Sequence, residues 1–195
     1  MKHTLTASAC LLLALLACED AATAKPSPRA DAVPVASEAA QQTFALLTAE
    51  LAAALEQGGP VAAIPVCAVR AGEITREVAA RKKVDIVRLS DRPRNPAQEA
   101  TGEDLAAIGQ FRAEILAGRE LRPSVKAAPD RTTTVRIPIV ITQPLCLQCH
   151  GNDDDVAAAT REAIARSYPN DRARGYSLND LRGIWKITLS VESQP

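Results

Sequence analysis

Apolar residues recur at helical spacing near the start of the folded part of the chain. Ala40, Phe44, Leu47, Leu51 and Leu55 form one stripe, which predicts a helix from Glu38 to Gln57, capped by Ser37 and ended by Gly58-Gly59. Pro60 suits the first position of a further helix, whereas Pro65 lacks a backbone donor and should kink or break it, leaving Cys67 beside an irregularity. Glu73 to Lys82 reads as helix and Val84 to Leu89 as a short strand. Two prolines then hold Ser90 to Pro96 out of regular structure. Thr101 with Asp104 opens the next helix, whose Leu105, Ile108, Phe111 and Ile115 form the buried stripe before Gly118. Residues 120–131 read as loop. Thr132 to Thr142 is β-branched almost throughout and makes the best strand, with Pro138 pointing to an edge or a bulge. Val156 to Ser167 is helical, and a tight connection from Leu178 leads into a last strand from Gly183 to Val191. Helices first and between, with no β-α-β rhythm, predict an α+β fold.

The amino terminus changes the picture. Lys2 followed by an apolar run from Ala9 to Ala17 is an export signal, too short to span a bilayer as a final structure. Leu15-Leu16-Ala17-Cys18 resembles a bacterial lipobox, which would leave Cys18 as a lipidated amino terminus; an ordinary signal peptide containing a cysteine is the alternative. Glu19 after that cysteine leans toward the outer membrane rather than the inner. The chain thus divides into a signal peptide, 1–17, a lipidated Cys18 with a Pro/Ala-rich tether, 18–36, and one domain, 37–195. The 195 residues carry 23 basic and 23 acidic side chains, and this neutrality argues against nucleic acid as the partner. Contact with a membrane is expected through the lipid anchor only.

Chemistry concentrates in Cys146-Leu147-Gln148-Cys149-His150-Gly151. C-x-x-C-H is the attachment signature of c-type haem: Cys146 and Cys149 add across two vinyl groups, and His150 is carried under the iron as an axial ligand. A reactive dithiol or half of a zinc site would use the same cysteines. The only methionine is Met1 and the only other histidine His3, and both leave with the signal, so Met/His and bis-His ligation are closed to one mature chain. With Cys10 discarded, Cys67 is the one thiol left over. It is either a small core residue or a thiolate ligand opposite His150, with lysine, tyrosine, water or an empty position also open.

Several further motifs occur in one order: Gly59-Pro60 with Ala63-Ile64-Pro65-Val66-Cys67, then Arg94-Asn95-Pro96, Pro138-Ile139 and the C-x-x-C-H segment. Tyr168-Pro169, Asp171, Ala173, Gly175-Tyr176 and Asp180-Leu181-Arg182-Gly183 follow. Together they resemble the PAS-like c-type haem proteins, found as exported single domains and as input domains of sensor histidine kinases, over about Ala54 to Leu189. The resemblance implies a PAS-like antiparallel sheet with a long N-terminal helix and flanking helices, one covalent haem c, and iron held by Cys67 and His150. Gly72 stands where the family has proline, its Trp-Glu after Arg-Asn-Pro is missing, and Asn179 replaces a glycine in a left-handed turn.

Arg88, Arg92 and Arg94 form a basic cluster; Arg88 and Arg94 are the candidates for the haem propionates, unless the cluster is a solvated loop. With five aromatic residues in all, the pocket is expected to be lined mainly by aliphatic side chains. These features predict a periplasm-facing monohaem lipoprotein that senses redox state or a diatomic gas and signals through a redox or signalling protein. Electron transfer with fixed ligands is the alternative. No enzymatic role is expected, since a peroxidase would want a distal histidine.

Overall fold

The computed structural model describes residues 28–190. The signal segment, Cys10, Cys18, Glu19 and the first part of the tether lie outside the described residues, as does Val191.

Helix α1 runs Ala32–Pro65 and so begins inside the expected tether, six residues before Glu38. Its first turns carry Ala32, Ala36, Ala39 and Ala40, all buried against the sheet, where small side chains let the helix lie close. Pro34 does not interfere, because the first helical turn has no acceptor for its missing N–H. The alanine face displaces the expected stripe: Phe44 is 45% exposed, and of the stripe Ala40 and Leu47 pack on the sheet cluster.

Gly58 and Gly59 leave helical geometry, Gly59 at φ 67°, and the helix resumes at Pro60. Two ion pairs show what the break does. Lys82 meets Glu38 at 2.6 Å and Arg70 meets Glu50 at 2.6 Å, so the chain doubles back on itself around Gly59-Pro60 as an antiparallel helical hairpin. The stretch Ala32–Lys82 is long enough to span a bilayer and contains an 18-residue window of mean hydropathy 1.3, but it is folded over rather than straight. After Pro65 the returning arm widens into a π-helical turn, Val66–Arg70, which carries Cys67, before α2, Ala71–Lys82. Such turns arise where the i→i−4 ladder is interrupted, and proline interrupts it here.

The sheet holds β1, Asp85–Leu89; β2, Ser124–Ala127; β3, Thr133–Val140; and β4, Leu181–Leu189, in the antiparallel order β1-β4-β3-β2. One face, with Ile86, Val135, Trp185, Ile187 and Leu189, takes α1 and α2. The other, with Leu89, Leu181 and Ile184, takes α3, Gly102–Leu116, through Ile108 and Phe111, while Leu105 turns outward. Asp104 does not cap α3. It is buried and accepts from Arg136 Nε at 2.6 Å and Lys186 Nζ at 2.9 Å; burial alone would raise its pKa, but the two cations outweigh it and hold the carboxyl below the usual range.

Strand β2 lies in the expected loop. Its four residues sit between Pro123 and Pro129 on a sheet edge, too short to show alternation. Because β2 covers only Thr133 to Arg136 of β3, Pro138 falls on the uncovered edge, and a bulge follows at Ile139/Val140.

That bulge leaves Arg182 with no residue opposite it. Leu181 and Ile184, three apart, both reach the α3 core, and Arg182 is turned toward Tyr176, 5.5 Å from the ring centroid. Gly183 makes the close packing possible, since a Cβ there would overlap the Leu89 carbonyl oxygen within the ladder. Gly183→Ala is expected to cost about 3 kcal/mol, as overpacking against backbone does. The melting temperature followed by circular dichroism should fall by roughly 6–12 °C; an unchanged midpoint would mean that the bulge relaxes freely.

Candidate cofactor-attachment site

Strand β3 delivers the C-x-x-C-H segment into a 3₁₀ turn, Pro144–Cys146, and one turn of helix α4, Leu147–His150. Each cysteine rests on its own apolar cluster. Cys146 packs on Ile141, Ala173 and Tyr176; Cys149 packs on Ile64, Val156, Ala163 and Ile164, the last two from α5, Ala158–Ser167. Ile64 lies one turn before Cys67, so the returning arm of the hairpin is seated on the motif. Cys67 is close enough to Arg88, Tyr168 and Cys149 for its charge to bear on all three.

His150 is the best-defined group. Its Nδ1 lies 2.7 Å from the Ala173 carbonyl oxygen, and its ring stands edge-on to Tyr176 at 6.2 Å. Burial pushes its pKa well below the usual range; the charges of Arg182 and Arg94 push the same way, against the Ala173 hydrogen bond. The imidazole is therefore neutral, donates from Nδ1, and keeps Nε2 free as a lone-pair donor.

What fixes Ala173 is Arg94. Its Nη2 donates to the Cys149 carbonyl oxygen at 2.6 Å, and Nε donates to Asp171 Oδ1 at 3.1 Å in a pair whose side chains are 6% and 7% exposed. Asp171 Oδ1 in turn accepts from the Ala173 amide at 2.9 Å. The loop is closed by Tyr176 N donating to His150 O at 3.0 Å and Gly175 N donating to Gly151 O at 2.8 Å. Gly151 has no room for a side chain, since a Cβ would meet the Leu147 carbonyl oxygen at 2.7 Å. Arg94 is thus committed to Asp171 and to the backbone of the motif: a buried guanidinium with an acid at hand pairs with that acid.

The residues packed on the motif are mainly aliphatic, with two aromatic rings among them. Tyr168 and Tyr176 pack against the motif, with Arg92 lying 4.3 Å over the Tyr176 ring and donating to the Arg174 carbonyl. Arg88, on β1 opposite Trp185, borders a cavity of about 200 Å³ lined by Leu47, Ala71, Thr75, Ile86 and Trp185. Sequence reasoning missed Arg182, although a glycine following it inside a strand is the ordinary signal of a bulge.

The arrangement bears differently on each of the chemistries open to C-x-x-C-H. Burial pushes the Cys149 thiol up despite Arg94, the opposite of what a reactive dithiol needs. Among the described residues no three His, Cys, Asp or Glu side chains gather around a shared point, which counts against zinc. A haem fits: two thiols on one helical turn, an adjacent neutral imidazole with Nε2 free, and a buried Tyr176 hydroxyl with no partner among the described residues.

A family model described as Tll0287-like: Tll0287 matches residues 17–190. The chain belongs to the Tll0287-like family. Its fold matches the crystal structure of the cyanobacterial heme-protein Tll0287 with a TM-score of 0.59 over 85% of this chain and 96% of that one, at 23% identity. No curated protein matches the chain. Membership of the Tll0287-like family bears out the resemblance drawn from the separated motifs, and the long N-terminal helix with a four-stranded antiparallel sheet bears out the expected fold class.

Proposed function

We propose that this chain carries one haem c, attached through Cys146 and Cys149. On this reading it faces the periplasm, is tethered by lipid on Cys18, and senses redox state or a small diatomic ligand rather than catalysing a reaction. Its output passes to a redox or signalling protein. The observation that carries the reading is His150: half-buried, neutral, held through Nδ1 by Ala173, and with no partner on Nε2 among the described residues. Relation to a haem-protein family supports it.

A bound haem supplies a one-electron couple and an exchangeable coordination position. His150 Nε2 and Cys67 Sγ are the side-chain atoms that would hold its iron. A cysteine sulfur in that role would favour ferric iron and would be held less firmly once the iron is reduced. The position of Cys67 supports this release. It sits on a π-turn whose hydrogen-bond ladder Pro65 has already interrupted, in an arm set off from the first part of α1 by Gly58-Gly59. Rapid carbon monoxide binding by the reduced protein is the expected result; its absence would favour the fixed-ligand electron carrier.

Covalent attachment is the primary test. Acidified acetone should leave the colour on the wild-type protein, and Cys146→Ser with Cys149→Ser should abolish it, because thioethers survive unfolding and axial bonds do not. Complete extraction from the wild type would sink the proposal.

A further inference from the structure

Around the motif the charges do not balance. Arg88, Arg92, Arg94 and Arg182 converge on His150, Tyr168 and Tyr176, and among the described residues the one acid in hydrogen-bond contact with any of these guanidiniums is Asp171, on Arg94. Arg92 lies flat on Tyr176 with its Nη2 on the Arg174 carbonyl. That leaves two. Arg88 has no hydrogen-bond or ion-pair partner among the described residues, and burial, the largest influence on it, lowers its pKa. Arg182 donates from Nη1 to Ser90 Oγ at 3.0 Å and to the Arg92 carbonyl at 3.4 Å; its Nε and Nη2 have no partner among the described residues. Burial brings its pKa down to about 10, which still leaves it cationic at neutral pH.

A half-buried guanidinium without a counter-ion is unfavourable, and two on one side of a sheet more so, since each also repels the other. Both come from rigid positions: Arg88 in the β1–β4 ladder, and Arg182 at the bulge that exists to re-aim it. Planar forks of this kind match carboxylates, and two of them match a ligand that presents two carboxylates. We propose that Arg88 and Arg182 are the site for the two propionate carboxylates of the haem, with Arg182 in the role that the sequence suggested for Arg94. This rests on the haem reading above.

The test uses the holoprotein and reads the propionates themselves. Resonance Raman spectra should show the propionate bending bands of the wild type shifted to lower frequency in both Arg182→Gln and Arg88→Gln, as hydrogen bonds to the carboxylates are lost. The reduction potential should fall in both, because a cation beside the iron has been removed. Arg182→Lys should restore the potential, by returning the charge, and only part of the Raman shift, because it lacks the fork. Arg122→Gln, at an exposed surface pair, is the control and should move neither. Bands and potential unmoved in both glutamine variants, with haem still covalently attached, would overturn the assignment and leave the haem reading standing. A purified wild type without haem would overturn both.

Discussion

Cys67→Ala is expected to leave the haem attached and to convert the ferric iron from low-spin to high-spin or water-bound. Attachment depends on Cys146 and Cys149, which the substitution does not touch. Thiolate ligation should give the wild type a low-spin ferric spectrum with charge-transfer absorption in the near infrared, and that band should vanish in the variant. The reduction potential should rise by a substantial part of the ~0.8 V range that axial ligands command, because a thiolate stabilises ferric iron and water does not. Cys67→Met should raise it further if the longer side chain still reaches the iron. An unchanged ferric spectrum in Cys67→Ala would return Cys67 to the role of a packing residue beside Ile64.

Arg94→Gln is expected to be the most destabilising single change near the motif. It removes one partner of a buried ion pair, leaves the Asp171 carboxylate without its counter-charge, and takes a donor from the Cys149 and Ala173 carbonyl oxygens. Losses of this kind cost about 3–5 kcal/mol, which for a domain of this size is roughly 6–20 °C in melting temperature. The effect should reach the site as well, because Asp171 holds the Ala173 amide and Ala173 holds His150. Arg94→Gln with Asp171→Asn should be less damaging than the two changes summed, since the double variant leaves no charge unpaired. A midpoint within 2 °C of wild type for the single variant would show that water replaces the pair.

Much of this was legible in the residues. Local rules gave the breaks: Gly58-Gly59, the irregularity after Pro65, Pro138 on an edge, and Asn179 in the left-handed region at φ 71°. The motif pointed to the candidate site, because C-x-x-C-H is a spacing that chemistry, rather than the fold, would ask for. What escaped depends on tertiary neighbours. The start of α1 was hidden because alanine carries little hydrophobic signal, yet it is what a helix lying flat on a sheet needs. Phe44 looked like core by spacing alone, and only the sheet decides which stripe is covered. Arg94 read as a free cation because its acid, Asp171, lies 77 positions away in the chain.

The place of β4 has a consequence for the order in which the molecule can be assembled. It is the last of the described elements to be made, yet it lies between β1 and β3, which have no ladder with each other. A chain emerging from its amino terminus, from the ribosome or through a translocation channel, therefore presents Cys146 and Cys149 while the sheet still lacks its central strand. Long-range pairing of this kind is intrinsically slow. On the proposed reading, thioether chemistry would have an interval in which both thiols stand on open chain, before Tyr176 packs on Cys146.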